Sequence, residues 1–274
     1  MSDSIRERAY AKLTLSLRVT GKSAGYHLIE ALQQSLDLYD DITLTKREDS
    51  RITSDFAGDN SLVVLSALQK AFRLGGMHLS VKKRIPIGGG LGGSSADAAA
   101  AALSCAKLYG ISRDEVYASV KELFGDIAFQ MTKGTAIARG MGSEIEVLPD
   151  LPRYHVLLLF PEKGVSTKEA YALADDLPCG QGDVRALYRA LFEGRSAKEL
   201  FFNDLYHPAT LLNDEIAPFL LALRDDRALL SGMSGSGSTL FSLYKTEAEA
   251  KEKAASLPAR TLVTETFSPS SNGK

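Results

Sequence analysis

From Lys12 to Val19 the chain reads KLTLSLRV, with Leu13, Leu15, Leu17 and Val19 on one side and Lys12, Thr14, Ser16 and Arg18 on the other. That period-two alternation predicts a half-buried strand. After the turn GKSAG, the segment YHLIEALQQSLDLYD carries Leu28, Leu32 and Leu36 at helical spacing, which leaves a helix and an irregular extended chain both open. Alternation returns in DDITLTK, a predicted strand. Asn60, placed to cap a helix, precedes SLVVLSALQKAF, and LSVKKRIP at 79–86 predicts the next strand. Further on, RDEVYASVKELF predicts a helix, and TAIARG and EIEVLP predict two strands paired around MGS.

LPDLP at 148–152 marks a boundary, dividing the chain into residues 1–151 and 152–274. The second part offers a strand, YHVLLLFP, a helix, STKEAYALADD, and helices near 183–193 and 214–224. A glycine-serine turn follows, flanked by ALLSGM and STLFSLY. Helix TEAEAKEKAASL, strand RTLVTETF and a polar tail, SPSSNGK, expected to be disordered, complete the chain. Strands and helices mixed in both halves without a regular βαβ rhythm predict an α+β fold in two domains. No internal repeat is visible.

Composition narrows the classes of function. The 274 residues hold 32 Lys and Arg against 34 Asp and Glu, a net charge of −2, so no general cationic field favours nucleic acid or an anionic membrane. The longest apolar runs, such as VLLLF at 156–160, fall far below the ~20 residues of a membrane span. The N-terminal MSDSIRERAYAK has mixed charge and no apolar run, so neither signal nor transit peptide is expected, and the expected address is cytoplasmic. Cys105 and Cys179 have no metal-ligand spacing and no CxxC pattern; Cys105, in an alanine-rich run, reads as a small buried thiol.

The most informative stretch is IPIGGGLGGSSADAAAAALSCAKLYG: a strand end, five glycines interrupted by one leucine, and an alanine-rich helix with Ser94 and Ser95 placed to cap it. Residues without Cβ let amide N–H groups converge on an anion, and a helix N-terminus adds free donors and a positive dipole end. A polyphosphate is the expected ligand. Gly88-x-Gly90-x-x-Gly93 also satisfies the dinucleotide fingerprint, but the acidic residue wanted about 20 residues on falls inside the helix RDEV. No Lys-Ser/Thr pair follows the glycines, so the Walker A pattern is absent.

PIGGGLGGSSADAAA, residues 86–100, resembles the phosphate-binding motif of the GHMP kinase superfamily. AYAKLTLSL at 9–17 resembles the superfamily's N-terminal strand, and SGMSGSGSTLF at 231–241 its C-terminal glycine motif, all three in the same order. Within the superfamily, GYH at 25–27, FPEKGVSTKEAY and FFNDL resemble the branch that acts on a cytidine-diphosphate-linked methylerythritol. The resemblance implies a ribosomal-protein-S5-like N-terminal domain joined to a ferredoxin-like C-terminal domain. It further implies ATP-dependent phosphorylation of the tertiary 2-hydroxyl of 4-diphosphocytidyl-2-C-methyl-D-erythritol, with Mg2+ accompanying ATP.

Carried over position by position, the resemblance makes Lys12 and Asp126 catalytic. It assigns Pro86, Ile87, Gly88, Gly89, Gly90, Leu91, Gly92, Gly93, Ser94, Ser95 and Ala96 to ATP, with Ser95 also a candidate to help hold magnesium. Thr14, Tyr26, His27, Tyr171, Ser234 and Gly235 would bind the acceptor, with cytosine stacked between Tyr26 and Tyr171 and its edge read by His27. The chain departs from the family pattern in several places: the turn before GYH lacks the common aspartate and is a residue short, and the loop has Ser94 in place of one glycine. Tyr10 and Thr14 stand where proline and asparagine are usual, Gly125 directly precedes Asp126, and Ala128 replaces a proline. Rival readings are a GHMP kinase for another alcohol such as homoserine or mevalonate, a catalytically silent ligand-binding relative, and a nicotinamide-dependent oxidoreductase using the glycine fingerprint.

Overall fold

The computed structural model describes residues 3–56, 60–177 and 180–269. β1 (Ser4–Ser23) and β2 (Tyr26–Lys46) form one long antiparallel hairpin, closed by Ala24 and Gly25, both at positive φ as tight hairpin turns require. The segment left open between helix and extended chain is therefore strand. A spacing of four residues satisfies period 2 as well as period 3.6, so Leu28, Leu32 and Leu36 share a face in either case. Residues 31–36 are buried on both faces, which erases the alternation that would have decided the matter.

β3 (Ile52–Ser54), β4 (Met77–Lys82), β5 (Thr135–Gly140) and β6 (Glu144–Leu148) complete a six-stranded sheet in the order β3-β4-β2-β5-β6, with β1 paired to β2. Its helices are α1 (Asn60–Phe72), α2 (Gly93–Tyr109), α3 (Arg113–Val120) and α4 (Ile127–Thr132). α2 packs across β1 and against α1 and α4, and its run from Ala98 to Ala102 is buried throughout. A helix covered on most of its sides needs short side chains, which explains the alanines. α3 opens with a full capping box from Ser112 and Glu115.

Between Leu148 and His155 the chain passes from this sheet to a second one. β7 (His155–Phe160), β8 (Leu230–Met233), β9 (Leu240–Tyr244) and β10 (Arg260–Glu265) are antiparallel in the order β10-β7-β9-β8. Helices α5 (Thr167–Ala174), α6 (Val184–Phe192), α7 (Tyr206–Leu212) and α8 (Ile216–Ala222) separate β7 from β8, and α9 (Glu247–Ala255) separates β9 from β10. Counted within this unit the order is 4-1-3-2, the ferredoxin-like arrangement that the resemblance implies. The sequence reading missed β3, three residues long, and α7, whose Pro208 sits in the first turn where a missing N–H costs nothing.

The two units share one apolar core, in which Leu13, Leu65 and Ala99 join Val156, Leu158 and Phe241. Backbone bonds reinforce the junction: Leu17 N–H donates to Phe202 C=O at 3.2 Å, Asp204 N–H to Leu17 C=O at 3.0 Å, and Phe267 N–H to Ser35 C=O at 2.8 Å. Tyr10, unusual for its position, stacks on Phe267 with ring centroids 3.8 Å apart and meets Tyr39 edge-on. Cys105 is a buried free thiol, its pKa pushed up to about 12 by burial, which leaves it unreactive at neutral pH. Cys179 and the end of the polar tail, 270–274, lie outside the described residues.

Candidate active site

Residues 83–92 connect β4 to α2, and a buried charge cluster fixes where they start. Asp40, fully buried, accepts the N–H groups of Arg84 at 2.5 Å and Ile85 at 2.8 Å. The Lys83 ammonium lies 2.6 Å from both Asp40 and Asp97, the latter on α2 just beyond its first turn. Burial alone lowers the Lys83 pKa, but the two carboxylates outweigh it and hold the group above its ordinary value. Pro86 to Ser95, with Phe56, then line a cavity of about 390 Å³ at the N-terminus of α2, while Ala96 turns into the core. Exposed Ile87 stands at the mouth.

The expectation that Ser94 and Ser95 cap α2 is corrected. The cap position is Gly92, at φ 68°, with no side-chain hydrogen bond, so both serines lie inside the first turn and face the cavity. The glycines also have two causes rather than one. A Cβ on Gly90, at φ +72°, would stand 2.6 Å from the carbonyl oxygen of Gly237, so this position is glycine because the second domain's turn presses on the loop. Gly88, at φ +74°, has no atom within 4 Å of where its Cβ would be, and its backbone is open to a ligand. The dinucleotide-fold reading fails on topology. β4 runs antiparallel to β2, and α2 leads into α3 rather than to a parallel strand.

Lys12 and Asp126 are brought together under that loop. Lys12 N–H donates to Leu91 C=O at 2.9 Å, which ties β1 to the loop, and its ammonium donates to Thr14 Oγ1 at 2.9 Å. The same ammonium lies 3.3 Å from Asp126 Oδ2. The lysine side chain is 8% exposed and the aspartate 33%, so the cation is held within the protein and the carboxylate faces outward. Asp126 precedes α4 but makes no side-chain capping bond, which leaves its oxygens for Lys12 and for Gln33, whose Nε2 donates to Oδ1 at 3.3 Å. Gln130, one turn further along α4, donates to Gly92 C=O at 3.4 Å and joins this helix to the loop. Gly125 has a packing reason: a Cβ there would meet the Met141 carbonyl oxygen at 2.8 Å. Ala128 is fully buried within α4, where the usual proline would restrict the preceding residue.

The turn from 234 to 239 belongs to the same place. Ser234 Oγ accepts the Thr14 N–H at 3.1 Å and donates to Gly90 C=O at 3.2 Å, and a Cβ on Gly235 would stand 3.9 Å from the Lys12 ammonium nitrogen. Asn203 holds this turn, its Nδ2 donating to Met233 C=O and Gly235 C=O at 2.9 Å each. Asp204 accepts Val19 N–H at 2.8 Å. In the sequence FFND carries only a resemblance; that Phe202 and Asp204 tie the second domain to Leu17 and Val19 of β1 was not legible, because those partners lie about 185 residues away. Gln33 was missed for the same reason.

At the other end of the cleft, Tyr26 is 66% exposed at the tip of the β1–β2 hairpin. Here the placement differs from the expected sandwich: the Tyr171 ring is stacked not on an open slot facing Tyr26 but on His27, with centroids 4.7 Å apart. His27 Nε2 is 2.7 Å from Asp175 Oδ1, and Asp175 also bonds Lys22. Burial pushes the Tyr171 phenol up, with the charge of Asp126 adding to it, so it stays protonated and serves as donor, acceptor or apolar face.

A phosphate-sized cavity at a helix N-terminus, beside a buried lysine and an outward-facing aspartate, defines a phosphotransferase of the GHMP kinase type. The family model for the GHMP kinase N-terminal domain matches residues 60–142, and that for the GHMP kinase C-terminal domain matches 173–262. A 4-diphosphocytidyl-2-C-methyl-D-erythritol kinase of Desulfitobacterium hafniense (strain Y51) is 36% identical over 259 residues, covering 90% of this chain and 89% of that protein. A crystal structure of a 4-(cytidine 5'-diphospho)-2C-methyl-D-erythritol kinase superposes with a TM-score of 0.82 at 28% identity, covering 96% of this chain and all of that one. A homoserine kinase from Cytophaga hutchinsonii, at TM-score 0.68 and 18% identity over 97% and 95% of the chains, shares the fold. The chain belongs to the 4-diphosphocytidyl-2-C-methyl-D-erythritol kinase family.

Proposed function

We infer that the protein transfers the γ-phosphoryl group of ATP to the tertiary 2-hydroxyl of 4-diphosphocytidyl-2-C-methyl-D-erythritol, a step in the non-mevalonate route to isoprenoid precursors. The observation that carries this reading is the Lys12–Asp126 pair, 3.3 Å apart, lying between the glycine loop and the 234–239 turn in a chain with such relatives. Phosphoryl transfer asks little covalent chemistry of a protein; positioning and charge stabilisation supply most of the rate. The loop amides from Gly88 onward and the N-terminus of α2 hold the phosphates. Ser94 and Ser95 donate to them from the first turn.

Asp126 takes the proton as the hydroxyl O–H bond breaks. The oxygen then bonds to the γ-phosphorus, and the bond from that phosphorus to the β,γ-bridging oxygen breaks to release ADP. Lys12 keeps the carboxylate ionised and offsets charge growing on the phosphoryl oxygens. Mg2+ bound with ATP supplies further neutralisation at the phosphates. Among the described residues no cluster of three or more His, Cys, Asp or Glu is present to hold a metal, so phosphate oxygens and water would provide most of its ligands, and Ser95, which lines the cavity, would help hold it.

Tyr26, His27 and Tyr171 bind the cytidine end, the aromatic face stacking and the imidazole reading the polar edge. Both substrates are charged nucleotides of the cell interior, and we place the protein in the cytoplasm. The test is phosphorus NMR of purified protein with ATP, magnesium and the acceptor. ADP with a matching new phosphomonoester on the acceptor supports the assignment. ATP binding without that product points to another alcohol or to a silent relative.

A further inference from the structure

We propose that Gln33 is a positioning residue for Asp126, one that fixes the plane in which its carboxylate meets the acceptor hydroxyl; this rests on the role given to Asp126 above. Gln33 lies on β2 directly opposite Thr14 of β1, so Lys12, Thr14 and Gln33 occupy one face of the sheet beneath Asp126. The carboxylate is held at two points. Oδ1 accepts from Gln33 Nε2 at 3.3 Å, and Oδ2 lies 3.3 Å from the Lys12 ammonium, which itself donates to Thr14.

A buried amide in this place is costly unless it does something. Gln33 is 2% exposed, and its Oε1 is buried with no hydrogen-bond donor among the described residues. An apolar side chain of the same length would fill the space without leaving that oxygen unpaired. The reverse amide orientation would set Oε1 against the Asp126 carboxylate, two acceptors facing each other, so the N–H must point at Oδ1. Its effect is on rotation. Asp126 makes no capping bond to α4, so without Gln33 its χ2 is restrained only by Lys12.

With the Gln33 N–H on Oδ1 and the Lys12 ammonium on Oδ2, the plane of the carboxylate is fixed, and the remaining lone pairs of its oxygens face the acceptor hydroxyl in one orientation. Proton and developing phosphoryl charge then fall within reach of the same ammonium. Gln33 itself touches no substrate in this scheme; it works through Asp126.

The measurement is a double-mutant cycle read by steady-state kinetics. Gln33→Met keeps the length of the side chain and removes the donor. It should lower kcat about tenfold, the consequence of losing one hydrogen bond to a charged group, with KM for ATP and for the acceptor within about twofold and Tm unchanged. In an Asp126→Asn background the same substitution should change turnover very little. Gln33→Glu, isosteric but with an acceptor in place of the donor, should lower kcat at least as much at neutral pH, and it serves if the Met variant is unstable. A normal kcat in Gln33→Met, a rise in acceptor KM instead, or a full second loss in the Asp126→Asn background each overturns the proposal. Near-normal turnover in Asp126→Asn alone overturns the base assignment, a distinct outcome.

Discussion

The two ends of the cleft are built in opposite ways. At the Lys12–Asp126 end, two strands, the α4 start, the glycine loop and the second domain's turn converge, and contacts between these elements hold Lys12, Thr14, Asp126 and Ser234. At the Tyr26–His27 end the hairpin tip carries Tyr26 and His27, with α5 supplying Tyr171 against His27, and Tyr26 stands 66% exposed. Groups that must be placed to a fraction of an ångström are fixed by the fold in advance. Groups that grip a flat base are carried on a hairpin tip instead, because stacking tolerates small displacements and gains from a ligand that covers it.

Substitutions at the fixed end should therefore cost turnover. Asp126→Asn is expected to lower kcat by about 10²–10⁴-fold, the usual worth of a positioned proton acceptor, and Lys12→Met by a comparable factor. ATP affinity in both, followed by equilibrium dialysis, should change little. Should either variant lose ATP binding instead, the pair belongs to nucleotide binding rather than to the transfer step.

Gly90→Ala tests whether the loop is held by the neighbouring domain. The new methyl would meet the Gly237 carbonyl at 2.6 Å in a backbone at φ +72°, and about 1–3 kcal/mol of stability should be lost together with activity. Gly88→Ala shares the backbone strain but not the contact, so thermal unfolding of the two variants separates the causes. If both lose stability equally, the contact with the second domain contributes nothing.

At the open end, Tyr26→Ala should leave Tm unchanged and raise the acceptor KM about tenfold, from a stacking contact worth roughly 1–3 kcal/mol, with KM for ATP unaffected. A shift in ATP KM would break the division of the cleft into two ends. The smallest effect is expected from Asp175. Its carboxyl is held below the ordinary 3.8, first by Lys22 and then by His27. A lowered folded-state pKa favours the folded state above that ordinary value, and the contribution disappears as pH falls through the depressed pKa. Wild type and Asp175→Asn should thus differ slightly in Tm near pH 7 and converge once the pH has fallen through the depressed pKa of Asp175.

Much of this was open to reading in the linear chain. The strand of Lys12, the helix after the glycines, the β5–β6 pair and the start of α3 each depend on neighbours within a few residues, and each stands where its pattern put it. The end of β2, DDITLTK, stands as predicted too, but its first half stayed open between helix and extended chain, because burial on both faces removed its alternation. Lys12 was legible only through the AYAKLTLSL motif, since a lysine on the polar side of a strand ordinarily points to water. The catalytic role of Asp126 likewise depended on the context LFGDIAF.

What the sequence by itself determined is the set of parts: two mixed domains, a glycine-rich phosphate loop before an alanine helix, and three motifs in a fixed order. Only the tertiary structure decided that Gly90 answers to a carbonyl 147 residues away, that Asp204 latches the second domain to β1 while Asn203 holds the 234–239 turn, and that Gln33 holds Asp126. Local pattern records the period of a strand or helix and the chemistry of a turn. Which surfaces meet depends on contacts between segments far apart in the chain, and no short-range pattern encodes those.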